Sequence, residues 1–246
     1  MKVLGIDIGG TGIKGAIVDT ETGELVTERF RIDTPKPAKP EAVAETIKKI
    51  VDHFNWNGKV GCGFPTPLSH GKCLSGSNLH SSLKNVQIDQ LFKNKTGLDF
   101  TIINDADAAA EAEMHFGAGK GKQGLVAVIT LGTGIGSGLF FNGILIPNTE
   151  LGHVSYNNEP FEKYAAYSIK KNEDLSYSKW GKRLNKYFRH IDLILSPDLY
   201  IIGGGASKKL DKYKDQIEIE TPIIPAENKN EAGIIGAAVA VADGVK

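Results

Sequence analysis

Short apolar stretches, each closed by a glycine-rich or polar turn, open the chain and are typical of buried β-strands. They predict strands over residues 3–7, 13–18 and 25–32, which would form a three-strand meander. The glycine-rich turn after the first strand leads into another extended run, whereas a dinucleotide-binding fold would begin a helix there. This turn also lacks the Gly-Lys-Ser/Thr ending of a phosphate-loop nucleotidase.

Stretches with apolar residues at helical spacing alternate with further short strands in the rest of the chain. Helices are predicted over residues 41–54, 106–116, 161–170, 177–195, 206–213 and 231–242, and strands over 59–64, 100–103, 199–202 and 223–225, with a second meander around 126–146. Residues 68–89 show little periodicity, and a loop that long in a compact domain is usually functional. The alternation indicates an α/β fold.

The strand–turn–strand pattern occurs twice at a constant spacing. Asp7 and Thr130 end the first strand of each copy and are 123 positions apart, as are Asp19 and Asn142, where each hairpin closes. An Asn-Gly pair between two apolar runs is a strong signal for a type I′ hairpin. We therefore expect an actin-like (ribonuclease H-like) duplicated α/β fold, with two domains around a central cleft. The small N-terminal domain would span residues 1–104 and the large C-terminal domain 105–246, with the helix over 231–242 able to pack back on the small domain.

The first turn carries groups suited to phosphate and to a metal ion. Consecutive backbone amides of Gly9, Gly10 and Thr11 can form an anion-binding nest, and Lys14 adds a cation on the same side. Asp7, where the strand leaves the apolar core, is suited to hold a hydrated metal ion. An ordinary glycine-rich hairpin is the alternative interpretation of this stretch taken alone.

Two later glycine-rich stretches are further candidates for phosphate binding. Thr133 and Gly134 repeat the first turn and would form a second phosphate clamp. Gly204 and Gly205 follow the strand over residues 199–202 and could let a nucleotide or a phosphate chain lie against the backbone. Triglycine stretches also simply end strands, which is the alternative here.

Polar residues near strand ends offer chemistry for a sugar. Asp105 follows a buried strand and could accept the proton of a sugar hydroxyl that attacks phosphorus, or it could only cap the next helix. Asn104 offers a donor and an acceptor for vicinal hydroxyls. Glu150 and His153 are three positions apart, so both side chains could converge on one ligand, although His153 could equally be an ordinary loop histidine.

Charge and cysteine content narrow the class of protein. Lys+Arg and Asp+Glu are each 29, so no overall field favours nucleic acid or a membrane surface. Cys62 and Cys73 are too few for a disulfide framework and lack zinc-ligand spacing. The N-terminus begins a strand at once and no apolar run approaches transmembrane length. We expect a cytoplasmic protein with neither nucleic acid nor membrane as a partner.

Four motifs, in order along almost the whole chain, resemble the ROK family (repressors, open reading frames, kinases) of sugar kinases. They are Gly5-Ile6-Asp7-Ile8-Gly9-Gly10-Thr11, Asn104-Asp105-Ala106-Asp107-Ala108-Ala109, Leu131-Gly132-Thr133-Gly134-Ile135-Gly136 and Glu150-Leu151-Gly152-His153. Further features resemble one branch, the polyphosphate-dependent glucokinases: Gly12-Ile13-Lys14-Gly15, Thr34-Pro35-Lys36-Pro37, Pro147-Asn148-Thr149-Glu150, Trp180-Gly181-Lys182-Arg183 and Ser196–Gly205.

The resemblance implies a role for each matching residue. Asp105 would be the general base, and glucose would be held by Asn78, Asn104, Asp105, Glu150, His153 and Glu162. Phosphates and Mg²⁺ would be held by Asp7, Gly9, Gly10, Thr11, Lys14, Thr133 and Gly134, with the ion held at Asp7 through water. The family also implies a homodimer. Residues 154–195 contain no cysteine, whereas most of the wider family carries a cysteine-rich zinc motif there, so no zinc is expected.

The resemblance implies a glucokinase that transfers a phosphoryl group from polyphosphate, with ATP as a further donor, to the 6-hydroxyl of glucose. An ATP-only hexokinase of the same family is one alternative. A sugar-binding sensor without turnover is another, and both phosphate turns and Asp105 argue against it. A polyanionic donor would need cations beyond the turns, for which Lys14, Lys84, Lys120, Lys122, Lys208 and Lys209 are the candidates.

Overall fold

The computed structural model describes residues 1–75, 79–227 and 231–244. The chain divides into two compact units. Unit 1 comprises Met1–Phe116 and Asn230–Lys246, and unit 2 comprises Gly117–Lys229. Within the described ranges, every helix is too short or too polar to span a bilayer.

Unit 1 is built on a five-stranded sheet in the order β3-β2-β1-β4-β7. Its elements before the C-terminal segment are β1 (Lys2–Ile8), β2 (Gly12–Asp19), β3 (Phe30–Asp33), α1 (Pro40–His53), β4 (Val60–Phe64), β5 (Leu68–Ser69), β6 (Lys72–Cys73), α2 (Ile88–Thr96), β7 (Phe100–Asn104) and α3 (Asp105–Phe116). The first three strands form an antiparallel meander, and β4 and β7 run parallel to β1. Helix α1 starts at a proline, which suits a first helical position, and buries Val43, Ile47 and Ile50 in the core of this sheet.

Two parts of unit 1 differ from the prediction. The strand predicted over residues 25–32 is confined to Phe30–Asp33, because the N–H of Ile17 donates to the hydroxyl of Thr27 at 3.0 Å instead of to a strand carbonyl. Residues 68–89 contain the short β5–β6 hairpin, a 3₁₀ turn and the start of α2. Helix α2 was not predicted, because only Ile88 and Phe92 are buried in it and two apolar positions do not establish a helical period.

Unit 2 contains a second five-stranded sheet, in the order β10-β9-β8-β13-β14. Its elements are β8 (Leu125–Leu131), β9 (Ile135–Phe141), β10 (Ile144–Ile146), β11 (Ser155–Tyr156), β12 (Glu159–Pro160), α4 (Glu162–Ala165), α5 (Tyr167–Asn172), α6 (Tyr177–Leu195), β13 (Leu199–Gly203) and β14 (Ile223–Pro225). Helix α6 supplies much of the core through Trp180, Leu184 and Tyr187, which follow helical spacing and are fully buried.

Two helices predicted in unit 2 are interrupted. The helix predicted over residues 161–170 is split into α4 and α5, because Ala166 between them has an extended backbone. The helix predicted over residues 206–213 is a distorted 3₁₀ segment, Ser207–Lys212, in which Lys209 leaves helical geometry with φ −121°.

The last helix, α7 (Ala232–Ala242), belongs to unit 1 and packs against β1, β4 and α3. Close approach is possible because glycines face its backbone. A Cβ at Gly5 would collide with the carbonyl of Ile234, and one at Gly61 would collide with the carbonyl of Ala237. Because α3 packs on α7, the division between the units falls after Phe116, one helix later than the predicted boundary after residue 104.

The two sheets share one topology. Each has a three-strand antiparallel meander followed by two strands parallel to the first strand of that meander. The first strands, β1 and β8, begin 123 positions apart and also end 123 positions apart. The duplication predicted from the sequence is therefore confirmed.

Candidate active site

The turn between β1 and β2 directs its carbonyl groups toward the protein. Gly9 N–H donates to the carbonyl of Gly12 at 3.0 Å, and the hydroxyl of Thr34 donates to the carbonyl of Gly9 at 2.5 Å. The N–H of Thr34 donates to the carbonyl of Thr11 at 3.4 Å. Among the described residues, none accepts a hydrogen bond from the N–H groups of Gly10 and Thr11, which are exposed. These two donors are available to an anion.

The turn between β8 and β9 is organised in the same way. Gly132 N–H donates to the carbonyl of Gly134 at 3.0 Å. Ser168 closes the turn from the side, because its N–H donates to the carbonyl of Gly132 at 3.0 Å and its hydroxyl to the carbonyl of Thr133 at 2.6 Å. The N–H groups of Thr133 and Gly134 donate to no acceptor in the described part of the chain. Both predicted phosphate turns therefore present unpaired backbone donors.

Asp7 and Lys14 lie opposite each other on β1 and β2, beside the first turn. Asp7 Oδ2 is 3.5 Å from Lys14 Nζ. Burial raises the pKa of the Asp7 carboxyl, and the neighbouring Lys14 ammonium partly offsets that rise. Gly233, near the start of α7, lies behind this carboxylate, where a Cβ would be 3.0 Å from Asp7 Cγ. The site combines one carboxylate with one cation.

Asn104, rather than Asp105, caps helix α3. Its side-chain Oδ1 accepts hydrogen bonds from the N–H of Ala106 at 2.8 Å and the N–H of Asp107 at 3.3 Å, which is the geometry of an N-cap residue. Asp105 is the first residue of the helix and is exposed. The side chain that caps this helix end is therefore that of Asn104.

Asp7 and Asp105 lie at the same edge of the unit 1 sheet. Strands β1, β4 and β7 are parallel, and their register aligns Asp7 with Gly63 and Gly63 with Ile103. Because neighbouring strands are about 4.8 Å apart, the carboxyl ends of β1 and β7 are separated by roughly 10 Å. Carboxyl ends of parallel strands are the usual place for ligand chemistry in α/β sheets.

Three side chains of unit 2 converge at the short 3₁₀ helix Leu151–His153. His153 Nδ1 is 3.5 Å from Glu150 Oε2, and His153 Nε2 is 3.4 Å from Glu162 Oε1. Burial raises the pKa of Glu150, the charge of Glu162 raises it further, and His153 opposes both effects. The structure thus brings together the three sugar contacts that the resemblance implied for this unit.

Glu162 also connects this cluster to the second turn. Its Oε2 accepts a hydrogen bond from the N–H of Ile135 at 3.2 Å, at the end of that turn. A Cβ at Gly134 would collide with the same carboxylate oxygen. A glycine is required at position 152 for a similar reason, since a Cβ there would collide with the carbonyl of Ile135. The spacing of the Glu-x-Gly-His segment therefore reflects how closely it packs on β9.

The backbone at position 204 requires a glycine for a structural reason that does not involve a ligand. It adopts a φ of +76°, and a Cβ there would lie 2.7 Å from the carbonyl oxygen of Leu131. Its own carbonyl accepts hydrogen bonds from the N–H and the hydroxyl of Ser207. Gly205 follows it beside the ring of Tyr167. Since Gly203 is aligned with Thr130, both glycines lie next to the second turn, so a phosphate role remains a prediction.

Sequence reasoning missed the residues that hold the two turns in place. Thr34, Ser168 and Arg31, whose Nη2 donates to Thr11 O at 2.9 Å, all bond to turn carbonyls from distant positions. No spacing rule links them to the turns, although Thr34 opens one of the motifs quoted above. The predicted sugar contact Asn78 lies outside the described residues.

Comparisons with known proteins agree with this arrangement. A family model described as ROK family matches residues 3–164. The chain is 46% identical over 242 residues to the polyphosphate glucokinase of Mycobacterium tuberculosis, covering 98% of this chain and 91% of that protein.

Solved structures give the same result. An inorganic polyphosphate/ATP-glucomannokinase from Arthrobacter sp. strain KM matches with a TM-score of 0.90 and 44% identity over 99% of both chains. A ROK family glucokinase from Streptomyces griseus, solved in complex with glucose and AMPPNP, matches with a TM-score of 0.81 over 97% of this chain and 98% of that one. At 22% identity, the second match shows the fold alone. The predicted actin-like α/β class is confirmed, and the chain belongs to the ROK family.

Proposed function

We propose that this protein is a glucokinase that transfers the terminal phosphoryl group of inorganic polyphosphate to the 6-hydroxyl of glucose and also accepts ATP as a donor. The observation that carries the proposal is the pair of equivalent turns with unpaired N–H donors, together with an exposed carboxylate at the start of α3. The similarity to a polyphosphate glucokinase and to a polyphosphate/ATP-glucomannokinase supports the choice of donor and sugar.

Backbone donors explain how one site can use two kinds of phosphate chain. The N–H groups of Gly10, Thr11, Thr133 and Gly134 would bind phosphate oxygens, which polyphosphate and ATP share. Gly9 shapes the first turn, Lys14 supplies a cation beside it, and Gly204 and Gly205 would lie along the same chain of phosphates. None of these groups recognises a nucleoside, so binding of the donor would depend on its phosphates.

Asp7 fits the Mg²⁺ ion that phosphoryl transfer ordinarily requires. Mg²⁺ prefers oxygen ligands and is commonly held by one or two carboxylates, several waters and the phosphates of the substrate. Asp7 supplies one such carboxylate, and the Lys14 ammonium lies 3.5 Å from it. When bound, the ion neutralises charge on the transferring phosphoryl group.

Glucose would be bound through its hydroxyl groups. Glu150, His153 and Glu162 present two carboxylates and an imidazole within a few ångströms of one another, a set that can accept from and donate to several hydroxyls. The Oδ1 of Asn104 is committed to the helix cap, so its amide nitrogen would contact the sugar. Asn78 would add a further contact.

Asp105 would act as the general base. Its carboxylate accepts the proton of the 6-hydroxyl while that oxygen forms a bond to the terminal phosphorus. The bond from phosphorus to the bridging oxygen breaks, and the shortened polyphosphate, or ADP, leaves with the bonding electron pair. Asp105 is suited to this role because Asn104 has already satisfied the helix end.

The remaining parts of the proposal concern cellular context. We expect a cytoplasmic enzyme of carbohydrate metabolism, and a homodimer as the family resemblance implies. Sedimentation at several protein concentrations measures the second point directly, with twice the chain mass of 26.5 kDa expected.

Formation of glucose 6-phosphate in a coupled assay tests the function. Polyphosphate, ATP and GTP are compared at fixed free Mg²⁺, and we expect transfer from polyphosphate and ATP. Transfer from ATP but not from polyphosphate would make the protein an ATP-only hexokinase. Glucose binding by calorimetry without transfer from any donor would make it a sugar-binding sensor.

A further inference from the structure

A cluster of three ligand-type side chains lies in unit 1, away from the phosphate turns. Glu111 and His115 are one turn apart on α3, and Asp243 follows the end of α7. His115 Nε2 is 3.3 Å from Glu111 Oε2 and 2.9 Å from Asp243 Oδ2. One ligand atom from each residue falls within 4.8 Å of the other two.

The two separations from His115 Nε2 are close to the edges of a small coordination shell. With Zn–N and Zn–O bonds of about 2.0–2.1 Å, neighbouring ligand atoms of a tetrahedral zinc are about 3.3 Å apart. One imidazole nitrogen with two carboxylate oxygens is a mixed donor set that suits Zn²⁺ better than Mg²⁺, which prefers an all-oxygen shell. Three protein ligands would leave one position for water.

The buried carboxylate of Glu111 provides an independent argument for a metal ion at this cluster. Glu111 is 2% exposed, and within the described residues its Oε2 has no hydrogen-bond donor of acceptable geometry, although His115 Nε2 is near. A buried carboxylate oxygen without a hydrogen bond is costly. An ion between this oxygen, His115 and Asp243 would remove that cost. His115 and Asp243 are 33% and 41% exposed, so an ion can reach the cluster from solvent.

We propose that Glu111, His115 and Asp243 form a Zn²⁺-binding site that fastens the end of α7 to α3. Helix α7 packs on β1, and its Gly233 lies against the carboxylate of Asp7. The bound ion stabilises helix α7, which lies behind the proposed magnesium ligand Asp7. This site is distinct from the cysteine-rich zinc motif that residues 154–195 lack, and folding does not depend on it.

Zinc titration of matched variants tests the site. The chelator-treated protein is titrated with Zn²⁺ by calorimetry in excess Mg²⁺, and its thermal midpoint is recorded at each zinc concentration. The variants are His115→Gln and Asp243→Asn, each of which removes one ligand. His53→Gln is the control, because His53 also lies in the last turn of a helix of unit 1 but has no carboxylate partner among the described residues.

We expect one tight Zn²⁺ in the wild type and in His53→Gln, with affinity at least tenfold weaker in both ligand variants. Since the ion binds only the folded state, free zinc at 100 times its dissociation constant should favour folding about a hundredfold and raise the thermal midpoint. Equal zinc affinity in all four proteins would overturn the site. A zinc-independent midpoint in the wild type would also overturn it, leaving an ion pair between His115 and two carboxylates. Neither readout depends on kinase activity, so failure of the proposed function is scored separately.

Discussion

The two glycine-rich turns have similar backbone hydrogen bonds but differ in length and in the side chains beside them. In each, protein donors hold the carbonyls and leave backbone N–H groups unpaired. The first turn places residues 9–12 between the paired residues Ile8 and Ile13, whereas the second places only residues 132–134 between Leu131 and Ile135. The second hairpin is therefore one residue shorter, and its cross-strand register shifts by one.

That shift changes which side chains face each other. Asp7 pairs with Lys14 on the first hairpin, but their equivalents 123 positions later, Thr130 and Ser137, are not partners. The hydroxyl of Ser137 is buried and bonds to the backbone of Thr149 and Leu151. A one-residue slip redirects side chains between faces and partners. Both halves therefore have unpaired backbone N–H donors in the turn, but only the first half has the charged pair.

The second turn has a different charged neighbour. Glu162 accepts the N–H of Ile135 and contacts His153, so the second turn is tied to the proposed sugar contacts. In the proposed division of roles, the first half supplies the metal ligand, the cation and the base, and the second supplies three of the sugar contacts. The predictions below separate these roles.

The largest effect is expected from Asp105→Asn. Loss of general-base assistance should lower turnover by ~10²–10⁴-fold, because the amide keeps the shape but cannot accept the proton. Stability should barely change, since Asn104 provides the helix cap. Turnover and glucose affinity are measured side by side, with exposed Asp99→Asn as the control. Wild-type turnover in Asp105→Asn would remove Asp105 from the mechanism.

A smaller effect is expected from Gly134→Ala, compared with Gly132→Ala in the same turn. A Cβ at Gly134 meets the carboxylate of Glu162, whereas a Cβ at Gly132 has nothing within 4 Å. We expect kcat/KM for either donor to fall about tenfold or more in Gly134→Ala, equivalent to ~1.4 kcal/mol of transition-state binding. Gly132→Ala should stay near wild type. Equal effects of the two substitutions would contradict the proposed role of Glu162 in fixing this turn.

The use of polyphosphate should be more sensitive to salt than the use of ATP. Polyphosphate extends beyond the turns and would contact exposed lysines such as Lys208 and Lys209, while the turns hold ATP mainly through backbone N–H groups. Exposed charges are screened beyond about 8 Å at physiological salt. The KM for polyphosphate should therefore rise more steeply with salt than the KM for ATP, and Lys208→Ala should flatten the difference. Parallel slopes for the two donors would remove the lysines from the account.

The smallest effect concerns Glu150, whose pKa is raised mainly by burial. A carboxyl with a raised folded-state pKa favours the folded protein while it is protonated, below its unfolded value. That contribution is lost as pH rises through the folded-state pKa. Glu150→Gln should accordingly raise the thermal midpoint at neutral pH by a few degrees at most, while weakening glucose binding. Exposed Glu159→Gln is the control, and a lower midpoint for Glu150→Gln would show the carboxylate to be stabilising.

Local patterns in the sequence predicted the scaffold but not the fine geometry. The repeat at 123 positions is visible because each half uses the same apolar strand and glycine turn. The register difference between the hairpins is not visible, because it depends on one residue of turn length. Thr34 and Ser168 hold the turns across distances that no local pattern encodes. The unpredicted helix α2 has too few buried residues to show a period.

The central proposal is that the unpaired N–H groups of both turns bind phosphate. Amide chemical shifts of ¹⁵N-labelled Asp105→Asn, in which turnover should be strongly reduced, measure this directly when polyphosphate is added with glucose and Mg²⁺. We expect the N–H signals of Gly10, Thr11, Thr133 and Gly134 to move together with one affinity, while Gly97, a helix-ending glycine with open space around it, stays in place. Shifts confined to one turn, or absent from both, would contradict the claim.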